Sequence, residues 1–184
     1  MKFFSLNVIY VLGVFLLLVS CKGGEIYPNI PSIEYESSYI EKDSTGKTKY
    51  VGLIFKFKDG DGDIGLAPGD TFPPFNFVTD PNNPDKNTNI YYENLYVDYL
   101  EKSGDNYNHV VTPFTTDTLR KTFRVMVLTP EGKYKAIRGT IDVKFEPSLF
   151  PNRQDTIKLK FKLYDRMLHE SNTAESGDIV IGGE

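Results

Sequence analysis

The chain of 184 residues has three alanines, two histidines and one cysteine, and each shortage removes a class of protein. Ala67, Ala136 and Ala174 stand against 12 tyrosines and 13 phenylalanines, with β-branched residues plentiful. Alanine is the best helix former, whereas aromatic and β-branched side chains suit a pleated surface. A helical bundle is thereby excluded. Basic residues are also scarce, 21 against 25 acidic ones. A general nucleic-acid binder shows a basic surplus on some face, so no nucleic-acid partner is expected. His109 and His169 are the only imidazoles, and His-Glu-x-x-His, Gly-x-Ser-x-Gly and a phosphate-cradling glycine loop are all missing. With no cysteine in the folded part of the chain, thiol catalysis is excluded as well. An acidic pair suited to a hydrolase can be picked at will from 25 carboxylates, so it carries no signal. His169 beside Glu170 reads as a solvated loop histidine rather than a general base. The expectation is a protein that is not an enzyme, a hydrolase being the weakest of the readings.

Long apolar runs are missing too, with one exception. Phe3 to Val19 is apolar apart from Ser5, Asn7 and Gly13, follows the positive Met1-Lys2, and ends in Leu18-Val19-Ser20-Cys21. It falls short of the ~20 residues needed to span a bilayer. A small residue before a cysteine at the end of such a run resembles a bacterial lipobox. Residues 1–20 are therefore expected to be a lipoprotein signal peptide, cleaved before Cys21. Cys21 would then carry a diacylglycerol on sulfur and a fatty acyl group such as palmitate on its amine, the multiple chains that stable anchoring requires. Being the only cysteine, it leaves the domain without a disulfide or a thiolate metal site. Residues 21–31 read as the lipidated N-terminus and a tether, with Gly23, Gly24, Pro28 and Pro31 opposing regular structure. The expected place is an outer-membrane lipid anchor facing periplasm or cell surface. Lys22 in place of an acidic residue agrees with outer-membrane sorting.

Residues 32–184 read as one β domain. Ser32 to Ile40 is a plausible first strand. Tyr50 to Lys58 alternates, with Val51, Leu53, Phe55 and Phe57 on one face. Ile90 to Leu100 and Tyr107 to Thr112 suggest a hairpin around Ser103-Gly104-Asp105-Asn106. Thr122 to Leu128 and Ile137 to Phe145 flank the turn sequence Thr129-Pro130-Glu131-Gly132. Thr156 to Tyr164 alternates most cleanly, Ile157, Leu159, Phe161 and Leu163 against Lys158, Lys160 and Lys162. Asp178 to Ile181 closes the series. About eight short strands with one apolar face each predict an all-β, antiparallel sandwich, a barrel being the alternative. Leu66 to Asn89, with five prolines, is too long for an ordinary loop. Its Phe72, Phe75 and Phe77 are expected to fold back over the core, or else to form a contact patch.

The best chemical motif is Asp59-Gly60-Asp61-Gly62-Asp63-Ile64-Gly65 at the end of a strand. Three carboxylates in five residues repel one another unless a cation neutralises them, and the glycines allow the turns that converge them. Asp70 even falls at the twelfth position of an EF-hand count. Yet Ile64 stands where that loop needs glycine and no flanking helices are predicted, so an EF-hand is excluded. An exposed acidic turn is the alternative to a metal site. A second polar cluster is Asp165-Arg166, then His169-Glu170-Ser171-Asn172-Thr173.

Together, Phe57 to Gly65 and Tyr164 to Thr173 resemble a family of uncharacterised Bacteroidota lipoproteins. Its members carry Phe-x-Asp-x-Asp-Gly-Asp-Ile-Gly and Asp-Arg-x-x-x-x-Ser-Asn-Thr, and Pro130 to Gly139 is similar as well. The resemblance implies an immunoglobulin-like β-sandwich and brings no activity with it. In an immunoglobulin-like order the second and penultimate strands run the same way, which places both following loops at one end. Strict up-and-down alternation would separate them. A sheet-to-sheet crossover between Thr112 and Thr122, which the resemblance favours, would reunite them. The expected cofactor is then a structural calcium ion held by Asp59, Asp61, Asp63 and Asp165, completed by carbonyls and waters. Asn172 would add an oxygen or cap the turn, and Arg166 would point away to another carboxylate.

The expected function is that of a membrane-anchored envelope lipoprotein, a non-catalytic module binding an unknown envelope protein or glycan. The alternative is an accessory structural subunit of an envelope complex. Tyr91, Tyr92 and Tyr96 could stack on sugars, although strand aromatics more often pack on neighbours. Asp43-Ser44-Thr45, Asp117-Thr118-Leu119 and Asp155-Thr156-Ile157 are similar to the O-glycosylation sequon of Bacteroidota envelope proteins.

Overall fold

The computed structural model describes residues 26–111, 117–129, 135–146 and 155–181. The expected signal peptide, Cys21 and the start of the tether lie outside the described residues, as do the turn residues 130–134. The described residues contain no helix, and so none long and apolar enough to cross a membrane. They form eleven strands: β1 (Ser32–Lys42), β2 (Thr48–Asp59), β3 (Thr79–Asp80), β4 (Asn83–Asn87), β5 (Leu95–Ser103), β6 (Asn106–His109), β7 (Arg120–Phe123), β8 (Ile137–Phe145), β9 (Asp155–Leu163), β10 (Ala174–Glu175) and β11 (Ile179–Ile181). Every pairing is antiparallel. The fold is all-β.

One sheet has the order β1-β2-β8. The other is built on β5 and β9, paired from Leu95↔Leu163 to Glu101↔Ile157. Two short strands share each outer edge: β7 and β6 follow one another along β5, and β10 and β11 along β9. The sheets share one apolar core. Side-chain alternation drives this, because residues two apart point to the same face. On β2, Val51, Leu53 and Phe55 are wholly buried and Phe57 nearly so, while Lys56 and Lys58 are exposed. On β9, Ile157, Leu159, Phe161 and Leu163 are buried in the same way. Phe55 meets Phe161 at 5.1 Å between ring centroids, and Tyr99 of β5 meets Phe145 of β8 at 5.8 Å. Each of these aliphatic burials contributes about 1.5–3 kcal/mol, and Phe55→Ala or Phe161→Ala would cost about 3–5 kcal/mol.

Three serine and asparagine side chains replace missing backbone partners. Ser171 and Ser176 accept the Leu163 and Leu159 N–H groups at 3.0 and 2.9 Å and donate to the carbonyls of Asn172 and Gly177. Asn172 spans the gap to the other sheet: its Oδ1 accepts from Ile33 N–H and its Nδ2 donates to Ile33 O, both at 2.8 Å.

Several expectations need correction. Eleven strands replace the eight, since the excursion 66–89 contains the pair β3–β4 and the chain after β9 returns as two pieces. The predicted strand Thr122 to Leu128 stops at Phe123. Beyond it the chain leaves β5 for the acidic loop: Leu66 N–H donates to Val125 O at 2.8 Å, and Leu128 N–H to Ile64 O at 3.3 Å. The predicted start at Ile90 moves to Leu95, because Asn89 turns the preceding residues by accepting Tyr91 N–H at 2.9 Å. The crossover is also displaced. β6 and β7 belong to the same sheet, so the chain changes sheets between β7 and β8, not between Thr112 and Thr122. Phe72 and Phe77 do not enter the core. They are 76% and 43% exposed, Phe77 edging onto Tyr92 while Phe75 lies under the Arg166 guanidinium.

Candidate metal centre

The core stripe of β2 runs Val51, Leu53, Phe55, Phe57, and the next inward position is Asp59. The stripe of β9 runs Ile157, Leu159, Phe161, Leu163, and continues, one residue past Tyr164, to Asp165. Alternation therefore carries a carboxylate to the last rung of each facing stripe, and both are buried, Asp59 at 0% and Asp165 at 2% exposure. Asp63, also buried, comes from the loop that leaves β2. One ligand oxygen from each of Asp59, Asp63 and Asp165 lies within 4.8 Å of the others. Both loops thus sit at the same end of the domain.

The loop from Asp59 is folded hard against its surroundings. Gly60 donates to Pro28 O at 2.8 Å, and a Cβ at Gly60 would overlap the Tyr27 and Pro28 carbonyls. Gly62 has φ +73°, and a Cβ there would overlap the Lys135 carbonyl oxygen. Thr129 Oγ1 donates to Gly62 O. Only glycine combines this approach with a left-handed backbone at low cost.

Part of the buried charge is answered by backbone donors. Asp63 N–H donates to Asp59 Oδ2 at 2.9 Å, and Met167 N–H to Asp63 Oδ2 at 3.0 Å. His169 serves both oxygens of Asp165, its N–H at 2.7 Å from Oδ1 and its Nδ1 at 2.9 Å from Oδ2. The remaining oxygens have nothing. Asp59 Oδ1, Asp61 Oδ1 and Asp63 Oδ1 are buried without a hydrogen-bond partner. Burial and the neighbouring Asp61 push Asp59 up to about 7. Burial and the Asp165 charge push Asp63 up to about 6, and burial raises Asp165. Such a site either holds protons or holds a cation, because isolated buried carboxylates are too costly. The trio could hold a metal ion. Its donors are all oxygen, which suits a hard cation.

The other candidate residues are placed as follows. Asp61 is not one of the trio, though its orphaned Oδ1 belongs to the same loop. Arg166 turns from the trio and grips Asp70 through both terminal nitrogens, so Asp70 is committed elsewhere. That guanidinium holds the Asp70 carboxyl below its ordinary range. Asn172 spends its amide on Ile33. Tyr91 and Tyr96 pack on Tyr164 at 5.6 and 5.8 Å, and Tyr92 on Phe77 at 5.3 Å. What sequence reasoning missed was Arg124, which donates to the carbonyls of Tyr92, Ala67 and Asp70 and so ties the excursion to the loop before β5. No spacing in the sequence signals such a contact.

No family model, no curated protein and no solved structure matches the chain.

Proposed function

We propose that the protein is a membrane-anchored envelope lipoprotein, held through Cys21, whose residues 32–184 form an immunoglobulin-like β-sandwich that acts as a non-catalytic binding module. A structural calcium ion stiffens one end of it. The lipobox-like Leu18-Val19-Ser20-Cys21 supports the anchor, and the motifs around Asp59 and Asp165 support the resemblance to Bacteroidota lipoproteins. The observation that carries the ion is the pair of orphaned, buried oxygens on Asp59 and Asp63, converging with Asp165 from another sheet. Calcium accepts 6–8 oxygens at about 2.3–2.6 Å in loose geometry, which suits three carboxylates with carbonyls and water, whereas magnesium demands a near-ideal octahedron. Asp61, in the same loop, would complete the shell, directly or through water. The ion would join the exit of β2 to the exit of β9, a fastening between the two sheets rather than a reaction centre.

The partner is read as an envelope protein in preference to a glycan. Tyr91, Tyr92 and Tyr96, the aromatics best suited to stack on a sugar, are engaged with Tyr164 and Phe77. Calorimetric titration of calcium into chelator-stripped protein, alongside thermal melts, tests the ion. Binding that raises the wild-type melting temperature, and is abolished in Asp59→Asn with Asp63→Asn, is the expected result. No heat and no stabilisation at millimolar calcium would leave a proton-holding acidic turn. Release of Cys21→Ala from the membrane fraction, or its persistence as precursor, tests the anchor. Recovery of a stoichiometric protein with the membrane-extracted chain tests the partner, and binding to arrayed glycans instead would reverse that preference.

A further inference from the structure

We propose that the end of the domain bearing the acidic trio is its membrane-facing end, and that exposed apolar side chains there enter the lipid headgroup layer. The inference rests on the lipid anchor at Cys21 proposed above. The chain enters the domain beside the trio. Gly60 holds Pro28 O, Lys58 Nζ lies 5.6 Å from the Tyr27 ring centroid, and Arg138 donates to the Tyr27 hydroxyl at 3.3 Å. Tyr27 is thus fastened to the end of β2 and the start of β8. Five residues lie between it and Cys21, and six residue steps span at most roughly 20 Å. The acyl chains therefore hold this end of the domain close to the bilayer. The opposite end is farther by the length of β9, on the order of 30 Å at the rise of an extended strand.

The surface at this end is the one that suits lipid. Met126 and Val127, packed by their backbone on Gly65, are 49% and 42% exposed. Met167, whose N–H binds Asp63, is 66% exposed, and Ile30 of the tether is 54% exposed. Phe72, at 76%, belongs to the excursion that the Arg166–Asp70 pair draws toward the trio. Large apolar side chains stand exposed on several segments of this end, and the headgroup boundary accepts such side chains to a depth of about 5–10 Å. The opposite end is different. Its turns, Asp43-Ser44-Thr45-Gly46-Lys47 and Ser103-Gly104-Asp105-Asn106, carry polar side chains and glycine. A cation in the trio also removes negative charge that anionic headgroups would repel.

The chain has no tryptophan, so one introduced indole reports alone. Full-length, lipidated Phe72→Trp and Met167→Trp are placed in vesicles of phosphatidylethanolamine and phosphatidylglycerol with brominated acyl chains. Val180→Trp, 59% exposed on β11, reports the opposite end. The indoles at 72 and 167 are expected to shift to the blue and lose most of their emission to the brominated lipid, while that at 180 keeps its emission. Water-like, unquenched emission from both positions, in vesicles retaining protein with the acylated mass, would overturn the docking and leave the anchor intact. A Cys21 without acyl mass would overturn the anchor and the docking with it. Indoles unquenched in vesicles but shielded from iodide in native membranes would assign this face to a protein and overturn the proposal.

Discussion

Two turns that each combine aspartate with glycine stand at opposite ends of β2, and they handle charge in opposite ways. In the turn before β2, Asp43 Oδ1 accepts from Thr45 N–H at 2.8 Å, the Thr45 hydroxyl at 2.6 Å and Lys47 N–H at 3.1 Å. Those donors hold its carboxyl below the ordinary range. In the turn after β2, Asp59 is wholly buried, its Oδ1 accepts nothing, and its carboxyl is pushed up to about 7. The first holds one aspartate and one glycine, the second three of each, but the count is not what decides the outcome. What separates them is whether the local backbone satisfies the oxygens, and only the second turn leaves work for a cation.

Glycine substitutions offer the strongest way to break this comparison. Gly46 and Gly62 both have positive φ, but a Cβ at Gly46 meets open space whereas one at Gly62 overlaps Lys135 O. Gly62→Ala should cost about 3 kcal/mol or more, and Gly46→Ala about 1 kcal/mol, read as shifts in urea midpoint. Equal shifts would mean that the acidic loop is no more constrained than the hairpin turn.

Next in size is a change of sign. Asp59 and Asp63 keep protons in the folded, metal-free protein where the unfolded chain has lost them, so folded pKa values lie above unfolded ones. Stability of chelator-stripped protein should therefore fall as pH rises from about 4 to 7. Asp59→Asn should flatten that fall and raise the metal-free melting temperature at neutral pH, while lowering it in calcium. A variant that shifts both melts in the same direction would remove the cation from the account.

A smaller effect is expected at the strut beside the trio. The Arg166–Asp70 pair is bidentate and mostly buried, with side-chain exposures of 29% and 20%. Asp70→Asn should cost about 1–2 kcal/mol at neutral pH. Because the Asp70 carboxyl titrates below its ordinary range, that contribution is present above the unfolded pKa and is lost as pH falls through the folded one. Urea midpoints in neutral and strongly acidic buffer would show the wild-type advantage vanish. The smallest change belongs to Asp43→Ala: a slight fall in melting temperature, identical with and without calcium.

Where local alternation decides structure, the sequence was readable. β8 lies at the predicted Ile137 to Phe145, and β2 and β9 fall within two residues of their predicted limits. The acidic residues were grouped on other grounds, Asp59, Asp61 and Asp63 by spacing and Asp165 because it ends a strong strand; that Asp59 and Asp165 each continue an apolar stripe is what the structure adds. Long-range side-chain substitutions for backbone were not readable. Nothing near Val125 signals that its N–H is taken by Asn94 Oδ1 at 2.7 Å and its carbonyl by Leu66, which ends the predicted strand early. Nor does a lone serine announce that it will replace a strand partner, as Ser171 and Ser176 do along β9. Asp61 was grouped with its neighbours by spacing, but successive acids in a turn do not share a direction.

The amide of Asn172 sets a timetable for folding. β1 can pair with β2 as soon as both exist, since they are joined by a short turn. Ile33 turns its N–H and carbonyl to the other side, as a residue in a non-bonded antiparallel pair must, and both wait for a side chain 139 residues further along. Closing so large a loop is entropically slow, and folds dominated by distant pairings form late and together. Strand β1 is thus completed by a residue made long after it, so a growing chain keeps an open edge at Ile33 until Asn172 is delivered.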